Sequence, residues 1–357
     1  MIYNGPIEGG QMHGRGRITY ANTEVYEGDI HYGKRQGMGK YIYVDGSAYE
    51  GEWVDDKPHG HGICTYANGN VYDGEWVEGH IHGYGVLTYE SGDVYEGTWK
   101  DGKMDGKGKY SYADGDVYEG DWKDDKRHGK GIVTYASHDD KMPERYEGDF
   151  REGQMHGHGK YFYSDGGIYD GEWVDRKMHG KGTFIFPNKS VYVGDWKDDV
   201  KDGYGELTYP NGEKFAGYWR DNKACGKGTL TYANGDRYTG DWLNAKKHGK
   251  GELHTSSGDV YNGDWVDDHA EGQGVLVLAN GNRYEGEWKK DLRHGHGKYF
   301  TPDVTYDGEW VHGRKEGHGT LIFMNGDEYE GEWKDGLICG SGIYRFAQDS
   351  IWNDPDL

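Results

Sequence analysis

The chain has 357 residues, a formal net charge of −22 and only 34% hydrophobic residues, too few for the cores of ordinary globular domains. Aromatic residues reach 15%, and 64 glycines stand against 7 prolines. Those proportions exclude a disordered chain, a proline-rich linker and collagen, and with no dominant basic face nucleic acid is not an expected partner.

The opening Met1-Ile2-Tyr3-Asn4-Gly5 has neither a basic stretch nor an apolar one, so no signal peptide is expected. Ile2 stands where myristoylation needs glycine, and no apolar run is long enough to span a bilayer. From Tyr3 onward the chain repeats. A Tyr-x-Gly-x-Trp register begins at Tyr3, Tyr26, Tyr49, Tyr72, Tyr95, Tyr118, Tyr146, Tyr169, Tyr192, Phe215, Tyr238, Tyr261, Tyr284, Tyr306 and Tyr329, at 23-residue spacing except in two places. Every register has glycine at its third position and a later Gly-x-Gly; Ile7, Ile30 and Phe150 replace tryptophan at the fifth.

The register at Tyr49 shows what the pattern encodes. Tyr49, Gly51 and Trp53 alternate with Glu50 and Glu52, and Gly60, Gly62, Cys64 and Tyr66 alternate with His61, Ile63 and Thr65. Period-two alternation predicts two strands with aromatics and glycines on one face and carboxylates on the other. Glycine inside a strand marks close approach by another group, so Tyr and Trp rings are expected to lie flat over bare glycine backbone. The first strand ends in pairs such as Glu78-Gly79 and Asp101-Gly102, and the second in pairs such as Asp45-Gly46 and Asn234-Gly235. Both suit tight turns with positive φ. The prediction is an all-β, elongated single-layer antiparallel meander of about fifteen β-hairpins, a twisted rod on the order of 140 Å long at about 4.8 Å per strand.

Departures follow in chain order. Thr23 in repeat 1 and Lys189 in repeat 8 replace the turn glycine, and repeat 6 carries an insertion over 137–145. This divides the chain into repeats 1–6 (3–145) and repeats 7–15 (146–351), with a short tail at 352–357. In repeats 9 to 12 the polar face loses acid at Val193, Ala216, Thr239 and Asn262, and Tyr218 joins them, a weak signal of a contact surface. Repeat 13 is one residue short around Thr301-Pro302-Asp303, where a bend or change of twist is expected. The last repeat has an apolar turn, Leu337-Ile338-Cys339, and exposed sheet ends invite pairing. A homodimer interface is therefore expected at Tyr329, Trp333, Leu337, Ile338, Tyr344, Phe346 and Trp352.

The remaining chemistry is periodic. Histidine precedes Gly-x-Gly in eight repeats, as at His13, His59, His128 and His294, and reads as turn structure. Cys64, Cys225 and Cys339 form no CxxC pair, so reduced thiols in a cytosolic protein are expected. No zinc motif appears. Cys339 could meet histidines only across a dimer, so no metal and no cofactor is assigned. Basic residues recur just ahead of the histidine position; Lys126, Arg127, Lys177, Lys246 and Lys247 are candidates for a weak anionic-lipid contact, which the net charge opposes. Gly-x-Gly inside a strand is no nucleotide fingerprint. Carboxylates such as Glu50 and Glu52 read as cross-strand partners of lysines such as Lys107 and Lys109, and no catalytic set stands out.

The Tyr-Glu-Gly-Glu-Trp…Gly-x-Gly pattern, as at Tyr49–Trp53 with Gly60 and Gly62, resembles the MORN repeat (membrane occupation and recognition nexus) over residues 3 to 351. A chain built of about fifteen such repeats is similar to the cytoskeletal MORN proteins of kinetoplastid and apicomplexan parasites. The resemblance implies a non-catalytic cytoplasmic scaffold that self-associates through its C-terminal repeats; the apolar last repeat adds the expectation of an antiparallel homodimer or higher oligomer. It further implies contact with other cytoskeletal proteins near a membrane. Two other readings remain at this stage: an adaptor whose groove, lined by Trp53, Trp76, Trp99, Trp122, Trp173, Trp196 and Trp219, holds a peptide, and a phosphoinositide-binding membrane adaptor.

Overall fold

The computed structural model describes residues 1–137 and 142–348. Among them are 32 strands and no helix. Contacts divide the chain into two compact units, Met1–His179 and Gly180–Leu357, and the insertion lies inside the first. In each unit consecutive strands pair antiparallel, making an all-β meander of hairpins in one layer. In the first unit Ile2–Asn4 pairs with Gly14–Thr19. In the second, Leu337–Arg345 pairs with Glu328–Lys334 and is the outermost strand among the described residues.

The hairpin of Ala48–Val54 and Lys57–Thr65 shows why this sequence folds so. Its loop is Asp55-Asp56, both in the left-handed region at φ 47° and 68°. That turn matches the twist of the strands it joins. The second turn is longer than the expected tight pair. Tyr66 N–H bonds to Asn70 O at 2.8 Å, Gly69 N–H bonds to Tyr66 O at 3.0 Å, and of the turn residues only Gly69 has positive φ, 88°. A three-residue loop places just one residue there. Thr23 (φ 73°) and Lys189 (φ 68°) take the same conformation without glycine. The short repeat 13 loses its residue within the turn, and pairing stays in register at Gly297↔Gly308.

One expectation needs correction. The two glycines of Gly-x-Gly do different jobs. Gly51 faces Gly62, but the next residue, Glu52, faces His59, so Gly60 and His61 form a bulge. Gly60 is needed for its φ of 58°, not for close approach. The bulged N–H of His61 donates to Glu52 Oε1 at 3.2 Å. Asp29, Asp121, Asp195 and Asp264 do the same for Met38, Lys130, Tyr204 and Gln273. The fourth-position carboxylate thus satisfies a backbone donor that the bulge removes from the ladder.

The core is built on the second glycine. A Cβ on Gly62 would lie 2.5 Å from Tyr49 Cε2, and one on Gly51 would lie 2.6 Å from the carbonyl of His61. Tyr49 is 1% exposed, and its hydroxyl donates to Glu52 O at 2.9 Å. It is therefore the tyrosine that lies over glycine. The tryptophan stands edge-on between two tyrosines: Trp53 meets Tyr49 at 5.2 Å and Tyr26 of the preceding repeat at 5.4 Å, both T-shaped. Its Nε1–H donates to Gly39 O of that preceding repeat at 3.0 Å. This geometry suits the ring quadrupoles and bonds each repeat to the one before. Phe150 packs likewise between Tyr118 and Tyr146, though a phenyl ring has no N–H to donate.

Side chains at both sheet margins also bond successive repeats. Asp56 Oδ1 accepts the Arg35 N–H at 2.9 Å and Asp125 Oδ1 that of Met104 at 2.9 Å. At the other margin, Asp93 Oδ1 accepts the Ala113 N–H and Asp116 Oδ1 that of Ala136, each at 2.7 Å.

Gly240→Ala is expected to destabilise the protein by about 3 kcal/mol, because its Cβ would sit 2.5 Å from Gly251 Cα and 2.6 Å from Lys250 O. Tyr238→Phe removes one hydroxyl hydrogen bond while keeping a ring of the kind seen at Phe215, and should cost about 1 kcal/mol. Urea unfolding of the two variants measures the difference.

Candidate functional site

The aromatic face of each unit is the largest unusual surface in this chain, and its layers are set by the repeat. The tryptophans form the floor. Trp53, Trp76, Trp99, Trp122 and Trp173 in the first unit and Trp196 and Trp219 in the second are all between 1% and 8% exposed. A partner would meet them only at their edges. Beside them runs a more open row at the start of the second turn, including Tyr43, Tyr66 and Tyr112, each half-buried.

The other row on this face comes from the residue facing each tryptophan at the start of the second strand. In several repeats it is apolar: Met104 faces Trp99 and Ala270 faces Trp265. Elsewhere it is a cation laid on rings. Arg35 lies 4.4 Å from the Trp53 centroid, and its Nε–H donates to Asp56 Oδ1 at 3.1 Å. In the second unit Lys201, Lys247, Arg293 and Lys315 lie 4.4 to 4.8 Å from Trp219, Trp265, Trp310 and Trp333. Burial lowers the pKa of all four. Sequence reasoning passed over Lys201; its place two residues before Gly203 in the recurrent basic position was the available signal.

The candidate lipid residues separate into three environments. Lys126 Nζ pairs with Glu152 at 2.6 Å and Lys246 Nζ with Asp267 at 3.7 Å. Arg127 lies over Tyr118 and Phe150 and donates to Gly153 O at 3.0 Å, and Lys247 is in the cation row. Lys177 is exposed at the start of Lys177–Ile185.

The polar face carries ion pairs. Lys107 Nζ meets Asp121 at 2.6 Å and Lys40 meets Glu50 at 3.1 Å. Burial works against Asp121, Asp149 and Asp241, but lysine ammoniums and bulge N–H groups outweigh it, so each carboxyl stays below its usual range. Within the second unit this face exposes Val193, Tyr204 and Tyr218, with the two tyrosines in an edge contact at 5.6 Å. Open depressions of about 770 Å³ beside Tyr84 and Lys107 and about 550 Å³ beside Tyr204 and Tyr218 follow the glycine rows. No group of three potential metal ligands occurs among the described residues.

The C-terminal strand is more exposed than the other nine-residue strands. Leu337 is 73% exposed and Ile338 50%, and Tyr344 and Phe346 are also exposed. Ile343 and Met324, which sequence reasoning passed over, add to this surface. Trp333 is buried, and Tyr329 is half-buried with a buried hydroxyl that finds no hydrogen-bond partner among the described residues. Trp352 lies outside the described residues.

The family model that matches is the MORN repeat, in fifteen consecutive copies from residues 7–24 and 26–48 through 306–328 and 329–350. The first copy starts at residue 7, four residues after the first register at Tyr3. Among curated proteins none matches the chain. Solved structures similar to parts of it include the SAS-4 (dCPAP) TCP domain of Drosophila melanogaster in complex with a proline-rich motif of Ana2, at 12% identity, covering 51% of this chain and 85% of that one, TM-score 0.27. The CPAP G-box domain is similar at 10% identity, covering 62% and 100%, TM-score 0.30. The Danio rerio TCP10 domain of CPAP with an E1021V substitution is similar at 12% identity, covering 68% and 95%, TM-score 0.26. With TM-scores this low, these likenesses carry no argument about function.

The buried tyrosines and the bulge aspartates fix the pH limits of the fold. Burial raises tyrosines such as Tyr284, which is pushed up to about 12. Their stabilisation is complete below the unfolded value of about 10 and is lost as pH rises toward the folded values. Depressed aspartates stabilise above about pH 4, and that is lost as pH falls through their folded values. Thermal melts should therefore drop above about pH 10 and below about pH 4, with a plateau between.

Proposed function

This chain belongs to the MORN-repeat family, a non-catalytic type of repeat found in scaffolds and adaptors, and on that premise we propose that it is a cytoskeletal scaffold, not an enzyme, that associates with itself through its C-terminal repeats. The observation that carries this reading is the terminal edge. Among the described residues the strand Leu337–Arg345 pairs on one side only, and it exposes Leu337, Ile338, Ile343 and Tyr344. Edge strands are usually short, charged or covered, because their unpaired backbone groups template pairing with another chain. This edge is nine residues long and mostly apolar.

A second copy presenting the same edge antiparallel would continue the ladder and bury the apolar side chains of both, a self-complementary two-fold contact. The orphaned hydroxyl of Tyr329 would then lie near a boundary where new acceptors arrive. Joined pairs of this kind extend a repeat array without any bound substrate, which suits a structural element placed among cytoskeletal proteins close to a membrane. The ion-paired state of Lys126 and Lys246 favours membrane proximity through partners over direct strong adsorption.

Size-exclusion chromatography with light scattering tests the reading. The full chain should run as a dimer or larger at micromolar concentration. Leu337→Glu with Ile338→Glu, 73% and 50% exposed, should shift it to monomer with an unchanged melting temperature. A strictly monomeric wild-type chain overturns self-association.

A further inference from the structure

Cations on the aromatic face of the second unit lack what Arg35 has in the first. Arg35 is held by the carboxylate of Asp56. The residue in the corresponding place beside Lys201 is Asn222, whose Oδ1 accepts the Lys201 backbone N–H at 2.9 Å. Beside Lys247 it is Asp268, whose Oδ1 accepts the Lys247 backbone N–H at 2.9 Å; the charges of Asp268 and Asp291 act on the ammonium from a distance, but neither carboxylate forms an ion pair with it among the described residues. Beside Arg293 and Lys315 the turn offers only the N–H groups of Gly313 and Gly336, both bonded to backbone carbonyls. None of the four side chains forms an ion pair among the described residues, and each is half-buried against a tryptophan.

A half-buried charge without an ion-pair contact carries a desolvation cost that a partner carboxylate would offset through a charge-assisted hydrogen bond. Ring contact supplies part of that compensation but leaves the positive charge un-neutralised. The row is also regular. Lys201, Lys247 and Arg293 stand on Val200–Thr208, Lys246–His254 and Leu292–Phe300, each four strands from the next. Between them the same position holds Ala224 and Ala270, so no other charge intervenes in the row.

We propose that this face of the second unit docks an extended acidic segment of another protein, with its carboxylates seated on Lys201, Lys247 and Arg293. The spacing selects the conformation. Four strands at about 4.8 Å separate successive cations by about 19 Å, which an extended chain at about 3.3 Å per residue covers in roughly six residues. Residues six apart in an extended chain point the same way. In a helix the same distance takes about 13 residues, which turns the second carboxylate well away from the first. A single extended chain can follow the row between the tyrosine side and the strand starts. A flat anionic bilayer would also press on the turn margin, where Asp236 and Asp259 stand. The proposal goes beyond the scaffold reading, and it holds whether or not the C-terminal edges pair.

The test uses the full chain and a fluorescent synthetic peptide of about 20 residues with Glu at every sixth position in a Gly-Ser-Thr background, beside a twin carrying Gln instead. The Glu peptide should bind, more weakly as salt rises, and the twin at least about tenfold less tightly. The triple variant Lys201→Met, Lys247→Met, Arg293→Met should lose the difference between the two peptides. Methionine already occupies this position at Met104, Met155 and Met178, so the variant should keep its melting temperature. Equal binding of the two peptides, no binding of the Glu peptide, or discrimination that survives in the variant overturns the proposal. Flotation of the wild-type chain with phosphatidylserine vesicles that the triple variant loses overturns it in favour of a lipid surface. Chromatographic mass, read on the same samples, reports separately on self-association.

Discussion

At each repeat a tyrosine ring, or the phenyl ring of Phe215, fills the space that two Cβ atoms would otherwise take, one on the glycine two residues along its own strand and one on the glycine facing it. Tyr49 over Gly51 and Gly62 is representative. A single sheet ordinarily needs a second layer to cover one face. Here the ring supplies that cover from within the sheet, and glycine lets it come close enough to exclude water. The hydroxyl, carried to the bulge, caps a backbone carbonyl at Glu52, so the buried phenol is satisfied.

Once the tyrosine is fixed, the tryptophan has one place to stand. Trp53 touches its own tyrosine and the preceding one, and its N–H reaches back to a glycine carbonyl. Every repeat is therefore half of its neighbour's core, as expected of a linear array whose stability is shared between repeats and interfaces.

The position that roofs each tryptophan is free to vary, and it is where the two units differ chemically. Methionine, isoleucine, alanine, lysine and arginine all occur there without altering the strand register. Function can be written at such a position at little structural cost, since its occupant touches rings and solvent but no backbone donor or acceptor that the ladder needs. The opposite holds for the bulge carboxylate: Asp241 serves both Lys227 and the Lys250 N–H, which ties the polar face to the backbone.

The sequence by itself determined the strands, their order, the aromatic and acidic faces and the repeat boundaries. All of these follow from a side-chain period of two and a chain period of 23 residues. It misread Gly60, because a glycine required for its φ and one required for close approach look identical in sequence. It also read Lys126-Arg127 and Lys246-Lys247 as uniform basic pairs, whereas adjacent residues on a strand face opposite ways and meet a carboxylate in one case and a ring in the other. Only the tertiary structure decided which tryptophans are already covered, which cations lack an ion-pair contact and which side chains of the last described strand stay exposed. Those properties depend on what the neighbouring repeat brings into contact, and a repeat read alone does not contain its neighbour.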